Sequence, residues 1–167
     1  MYDELTEVDI RKMQEELHYR YTVVAPPLDA EVARTRAYGD LSENAEYKVA
    51  KQERNKNRAR IRYLENMIRT AKVVRVEEQE GVACLFDHVT YRREDTGEER
   101  EVQIVTTLRQ DPLKGYISKE SPLGKALLGS RVGDRITLSG AAGRGYTAVI
   151  LAIRRGEDDG DIPIASF

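Results

Sequence analysis

The sequence predicts an α+β protein: an N-terminal antiparallel α-helical coiled-coil hairpin, then a C-terminal domain with a small antiparallel β-sheet and one short helix. Only one of the 12 glycines, Gly39, lies within residues 1–74, and the others all follow residue 80. Glycine destabilises helix interiors and serves turns, which favours helices in the first part and strands in the second. The predicted divisions are a hairpin at 1–74, a domain at 75–155 and an acidic tail at 156–167.

Two predicted helices are joined at Gly39, and each carries apolar residues in alternating steps of three and four, as in a coiled coil. The stripe of the first helix comprises Ile10, Met13, Leu17, Tyr21, Val24, Leu28 and Val32. The seam of the second comprises Tyr47, Ala50, Arg54, Asn57, Ile61, Leu64, Ile68 and Ala71. Pro26 and Pro27 should bend or break the first helix, and Ala25 should leave the α region because it precedes a proline.

The second part alternates short β-rich runs with turn signals. Strands are expected at 82–86, 89–92, 102–107, 135–138 and 147–153, with turns at 95–97 and 140–145. A short helix is expected at 123–128, because Ser121 suits an N-cap, Pro122 the first helical position and Gly129 the position after the end. The tail has too little apolar content to predict that it packs.

Composition excludes several classes of protein. The 167 residues are 34% charged with a net charge of −2, so any nucleic-acid-binding surface must be local. No apolar run is long enough for a membrane helix, and the acidic start at Asp3 and Glu4 does not resemble a signal peptide. A single cysteine, Cys84, excludes an internal disulfide, and with only two histidines a zinc site is not expected. We therefore expect a cytoplasmic protein without a structural metal.

The predicted hairpin tip carries Asp40, Glu43 and Glu46 at steps of three. An Asp-x-x-Glu pattern before a heptad run also resembles a capping box, in which the acids would only stabilise a helix start. Two carboxylates are too few for an independent Mg²⁺ site, which requires an octahedral set of ligands. The tip could therefore complete a site on another molecule, but could not form one alone.

A basic stripe follows the tip, with one acid, Glu53, among its basic residues. Such a stripe can be a solvated helix face or can attract a phosphate backbone. Arg54 and Asn57 fall on the seam itself, which suggests a role in register or in ligand binding. The stripe consists of Lys48, Lys51, Arg54, Lys56, Arg58, Arg60 and Arg62.

Two long motifs resemble those of one known family. Residues 33–47 read ARTRAYGDLSENAEY and resemble the tip signature of the bacterial Gre transcript-cleavage factors, GreA and GreB. Residues 115–129 read GYISKESPLGKALLG, continue with RVGD, and resemble the second signature of that family. The resemblance runs from about residue 5 to residue 154. The double proline and the acidic tail depart from the family pattern.

The resemblance implies an FKBP-like C-terminal domain that binds RNA polymerase and a coiled coil that enters the secondary channel of the polymerase. Asp40 and Glu43 then help to hold a Mg²⁺ ion in the polymerase active centre, with Glu46 as a further candidate. Lys48, Lys51, Arg54 and Arg58 correspond to the basic patch near the RNA 3′ end of the elongation complex. Ser121, Pro122 and Leu123 would face the polymerase, with Lys119 and Glu120 beside them. The protein would stimulate the cleavage activity of the polymerase rather than act as an enzyme, and we expect a monomer that does not bind membranes.

Three alternatives remain at this stage. A related factor could occupy the channel and inhibit the polymerase, although such members typically alter the tip acids. A peptidyl-prolyl isomerase is suggested only by the fold, and the aromatic residues that line such pockets are scarce here, with no Trp and only two Phe. A bare coiled-coil scaffold would explain the heptads but neither motif.

Overall fold

The structure is a computed structural model that describes residues 3–39 and 44–166. The chain forms two compact units. One contains Ile10–Ala71, and the other combines Asp3–Asp9 with the chain from Lys72 onward. Within the described residues, no helix has both the length and the apolar character that crossing a membrane requires.

The first unit is an antiparallel helical hairpin, as predicted. Three of the contacts between the two arms join Thr35 with Asn44, Asp29 with Arg58 and Glu16 with Arg60. Residue numbers fall along the first arm as they rise along the second, so the two arms run in opposite directions. The first arm comprises α1 (Glu7–Tyr19), a π-helical turn (Arg20–Val24) and α2 (Ala25–Arg36), and the second arm is α3 (Ala45–Thr70).

The predicted seam of α3 is the buried face of that helix. Ala50, Asn57, Ile61 and Leu64 are all buried, and the other seam positions are half-buried. The heptad pattern therefore identified the packing face correctly.

The double proline does not break the first arm, and the prediction that Ala25 leaves the α region is wrong. Ala25 has φ −66° and ψ −44°, which is α-helical, and its N–H donates to the carbonyl of Arg20, five residues earlier. The π-helical turn ends one hydrogen-bond ladder, and α2 begins anew with proline in its first turn. A first-turn residue has no intrahelical partner for its N–H, so the missing donors cost little there.

The π-helical turn also changes which residue faces the second arm. Tyr21, predicted on the apolar stripe, is 51% exposed. Arg20 instead faces α3 and donates from Nη1 to Oδ1 of Asn57 at 3.0 Å. The later residues of the predicted stripe, from Val24 to Val32, remain half-buried or buried, so the departure from the α-helical period affects Tyr21 alone.

The second unit contains a five-stranded sheet in the order β5-β4-β3-β7-β6 and a two-stranded parallel pair, β1 with β2. The larger sheet is mixed rather than antiparallel, because two 3₁₀ turns return the chain so that β5 runs parallel to β4. The strands are β1 (Glu4–Leu5), β2 (Lys72–Val73), β3 (His88–Arg93), β4 (Glu99–Val105), β5 (Tyr116–Ser118), β6 (Arg135–Leu138) and β7 (Tyr146–Arg154), and the short helix is α4 (Pro122–Leu127).

The run 82–86, predicted as a strand, is a buried loop. Phe86 has a left-handed φ of 70°, and Asp87 Oδ2 accepts from the N–H of Cys84 at 2.9 Å. The N–H of Ala83 donates to the carbonyl of Ser130, outside any strand. Apolar content predicted burial here correctly, but local turns took the place of a ladder.

The acidic tail packs on the second unit, which its composition had not been enough to predict. Ile162 is 5% exposed and lies in a cluster with Phe86 and Val105. The N–H of Ala165 donates to the carbonyl of Leu108 at 2.7 Å. One buried apolar side chain and several polar contacts suffice to order a segment that composition alone would leave free.

Candidate functional site

The candidate site lies where α2 ends and α3 begins. Asp40 and Glu43, the two acids on which the prediction depends, lie outside the described residues. Glu46 is described, and its side chain is 67% exposed in the first turn of α3. The surrounding residues therefore define this site.

Asn44 is the N-cap of α3, which the sequence analysis missed. Its backbone is extended, with φ −78° and ψ 95°, and its Oδ1 accepts from the N–H of Tyr47 at 3.0 Å. Its Nδ2 donates to the carbonyl of Thr35 at 2.8 Å, across to the other arm. Asn44 therefore holds the cap position of α3 that the capping-box alternative would have given to Asp40.

Arg34 organises the charges beside the tip. It binds the Glu31 carboxylate with two nitrogens, at 2.9 and 2.5 Å, and lies 3.7 Å from Glu46. Its Nη1 also donates to the hydroxyl of Tyr38, and its guanidinium lies 5.5 Å from the centre of that ring. The hydrogen bond from Arg34 holds the pKa of the Glu31 carboxyl below its usual value. Arg34 therefore contacts residues on both sides of the tip.

Within the described ranges, no group of three or more His, Cys, Asp or Glu side chains could hold a metal ion. Glu46 lies 3.7 Å from the Arg34 guanidinium, which also binds the Glu31 carboxylate.

The basic stripe is mostly exposed. Lys48, Lys51 and Arg58 are exposed, and Lys51 lies 6.0 Å from the ring centre of Tyr47. Arg58 pairs with Asp29 at 3.5 Å, where both side chains are about half exposed. Arg54 is half-buried on the seam, and its Nε is buried without a hydrogen-bond partner in the described part of the chain.

A polar cluster in the seam accounts for part of the stripe. Arg60 is 5% exposed and contacts the Glu16 carboxylate at 2.8 and 2.9 Å, and Arg20 contacts the same group at 2.7 Å. Burial acts to raise the pKa of Glu16, but hydrogen bonds from Arg60 and Arg20 outweigh it and leave that pKa lowered. Together with buried Asn57, this cluster joins the two arms by polar contacts in the seam, where polar residues typically specify register.

In the second unit, the predicted docking segment begins α4. Ser121 caps the helix, its Oγ accepting from the N–H of Gly124 at 3.0 Å, and Leu127 is fully buried. Gly124 lies so close to β5 that an added Cβ would come within 2.0 Å of the Ser118 carbonyl oxygen. The local structural roles expected of this segment are therefore present.

Pro122 and Leu123 also line an apolar cavity of about 310 Å³. Ile117, Leu138 and Tyr146 contribute further apolar surface, and Arg144 is the charged residue of the lining. Nearby, the ammonium groups of Lys119 and Lys72 both donate to the Glu4 carboxylate. These two hydrogen bonds lower the pKa of Glu4. The segment thus presents apolar surface beside Lys119, whose ammonium group is hydrogen-bonded to Glu4.

Sequence profiles of one family match both units. The profile described as "Transcription elongation factor, N-terminal" matches residues 4–73, and that described as "Transcription elongation factor, GreA/GreB, C-term" matches residues 78–155. The chain therefore belongs to the GreA/GreB family of transcription elongation factors, as the sequence motifs predicted.

The chain is similar to several named proteins over most of its length. The transcription elongation factor GreA of Bacillus licheniformis is 37% identical over 150 residues, covering 87% of this chain and 93% of the relative. GreA of Caldanaerobacter subterraneus is 40% identical over 158 residues, covering 90% and 96%. Among solved structures, GreA factor homolog 1 of Thermus thermophilus is 28% identical, covers 93% of this chain and 100% of its own, and superposes with a TM-score of 0.42.

Proposed function

We propose that this protein binds RNA polymerase, inserts its helical hairpin into the secondary channel and stimulates the polymerase's own cleavage of the RNA 3′ end in backtracked complexes. The observation that carries the proposal is the family's tip motif at the end of an antiparallel hairpin, in a chain of this family. The protein is not itself the nuclease in this proposal.

Asp40 and Glu43 would hold a Mg²⁺ ion jointly with the polymerase. Carboxylate oxygens are ligands that Mg²⁺ prefers, and the ion would supply Lewis-acid activation of the attacking water. Because Asn44 caps α3, neither acid is needed to start the helix. Glu46 is a further candidate for the metal, although its proximity to Arg34 competes with that role.

A cleavage assay on backtracked elongation complexes tests the proposed function directly. Added protein should accelerate Mg²⁺-dependent shortening of the RNA at its 3′ end, and polymerase alone should be slow. If the protein binds polymerase but slows elongation without shortening RNA, it is a channel inhibitor and the proposal is wrong.

We predict that the basic stripe acts on RNA rather than on folding. Replacing Lys48, Lys51 and Arg58 together with alanine should weaken crosslinking to the RNA 3′ end at fixed salt, because these exposed cations can attract phosphate. The double variant Arg11→Ala, Arg69→Ala removes exposed arginines elsewhere on the hairpin and should crosslink normally. Normal crosslinking by the triple variant with a lower melting temperature would instead indicate a solvated structural face.

We further predict that the cavity beside α4 binds polymerase. Pro122→Ala should raise the Kd for polymerase severalfold with little change in melting temperature, because the proline is exposed and Ser121 still caps the helix. Cleavage should recover at high factor concentration. Val132→Ala truncates an apolar side chain that is 60% exposed outside the cavity and should change neither quantity. An unaltered Kd for Pro122→Ala would contradict the docking role.

A further inference from the structure

We propose that Asn44 and Arg34 are positioning residues that clamp the two ends of the tip segment and so set where its acids act. This inference rests on the proposed function. The clamp comprises Asn44 with Thr35, and Arg34 with Tyr38 and Glu46.

Asn44 does more than a cap requires. Ser, Thr or Asp would accept the Tyr47 N–H equally well, because an N-cap needs only an acceptor oxygen. The amide of asparagine adds a donor, and here Nδ2 uses it on the Thr35 carbonyl at 2.8 Å. Thr35 is fully buried, and its own hydroxyl donates to the Glu31 carbonyl at 2.9 Å. One side chain therefore starts α3 and ties it to a well-anchored point near the end of α2.

Arg34 supplies a second tie on the exposed side. It contacts Tyr38, just beyond α2, and lies 3.7 Å from Glu46 in the first turn of α3. Its bidentate bond to Glu31 fixes the plane of the guanidinium from within α2. Ion pairs this exposed contribute little to folding stability. We therefore expect the contacts of Arg34 to affect the position of the tip segment rather than the melting temperature.

These two ties bracket the segment between residues 39 and 44 on both sides. Reactions that depend on precise placement lose about 100-fold in rate for a displacement of about 1 Å. Loss of the clamp should therefore lower the maximal cleavage rate, while the docking surface on the second unit keeps the affinity for polymerase.

The experiment compares Asn44→Ser with Asn44→Ala in cleavage assays on backtracked complexes. Serine keeps the cap acceptor but cannot also reach Thr35, whereas alanine loses both functions. The clamp predicts that both variants lose about tenfold or more in maximal rate at unchanged half-saturating concentration, and that serine keeps the wild-type melting temperature. A merely structural cap predicts that serine behaves as wild type in rate.

Variants of Arg34 test the clamp independently of Asn44. Arg34→Ala should lower the maximal rate at unchanged melting temperature, and Arg34→Lys should restore part of it because lysine keeps one charge but not the bidentate geometry. Wild-type rates for both Asn44→Ser and Arg34→Ala would overturn the clamp.

The experiments distinguish an error in the proposed function from an error in the clamp proposal. If the wild-type protein does not stimulate cleavage, or Asp40→Ala is fully active, the function itself is wrong, and the clamp with it. If the wild type is active and Asp40→Ala inactive, while Asn44→Ser and Arg34→Ala match the wild type, only the clamp is wrong.

Discussion

Replacing Asp40 or Glu43 with alanine is expected to abolish stimulated RNA cleavage and to leave binding to RNA polymerase intact. Each substitution removes one of the carboxylates proposed to share the Mg²⁺ ion. Metal-ion stabilisation contributes several kcal/mol to such reactions, so the loss in rate should be on the order of 100-fold or more. Because Asn44 caps α3, neither substitution should lower the melting temperature through loss of a cap.

The measurement is the cleavage rate at saturating factor, together with competition for polymerase against the wild-type protein. Glu53→Ala is a matched control, since Glu53 is a half-exposed acid of α3 that pairs with Lys56. It should cleave as the wild type does. Wild-type cleavage by either tip variant would show that the carboxylates have been assigned the wrong role.

The helical hairpin could be predicted because its determinants are local. Steps of three and four identified the buried face of α3, including polar Asn57. The conformation of Ala25 was misjudged because the usual rule for a residue before proline assumes a continuous α-helical hydrogen-bond pattern, whereas here a π-helical turn precedes Ala25. Within that turn Tyr21 is exposed and Arg20 faces Asn57 instead.

The second unit was harder to predict because its contacts join distant parts of the chain. β5 has three residues, too few to show a period, and it pairs in parallel with β4 across two 3₁₀ turns. The run 82–86 has the composition of a strand, yet most of its backbone bonds go to loops, and one, from the N–H of Phe86, reaches β4 at the carbonyl of Ile104. The hydrogen-bond partners of such short segments lie far away in the sequence, so the residues of the segment alone do not predict them.

At the tip, roles for Asp40 and Glu43 could be proposed from the sequence, but the side chain that starts α3 was missed. Asn44 carried a usable signal, since asparagine is a preferred N-cap and directly precedes Ala45 and Glu46. The Asp-x-x-Glu pattern that begins four residues earlier offered a competing cap. The bond from Asn44 to Thr35 depends on the arms being paired, so no local pattern could predict it.

The largest expected effect on stability is at Arg109, a residue to which the sequence analysis gave no role. Its side chain is fully buried, pairs with Asp9 at 2.7 Å and with Asp158 of the tail, and lies 4.6 Å from the ring centre of Phe86. Asp9 is also fully buried, and it accepts from the N–H of Thr6 at 3.0 Å. This cluster joins three segments of the second unit that are far apart in sequence.

Arg109→Met is expected to lower the free energy of unfolding of the second unit by about 3–5 kcal/mol, because it leaves Asp9 buried without its cation. Asp158→Asn should cost less, since the pair of Arg109 with Asp9 remains. The double variant Asp9→Leu, Arg109→Met should recover part of the loss, because apolar groups can replace a buried ion pair at little cost.

Hydrogen exchange of the amides in β3 and β7, in the full chain under increasing urea, measures the unfolding of this unit directly. Arg135→Met is the control: it breaks an exposed pair with Glu94 in the same unit, and pairs of that kind contribute little. If Arg109→Met destabilises the unit no more than Arg135→Met does, the buried cluster does not hold these segments together.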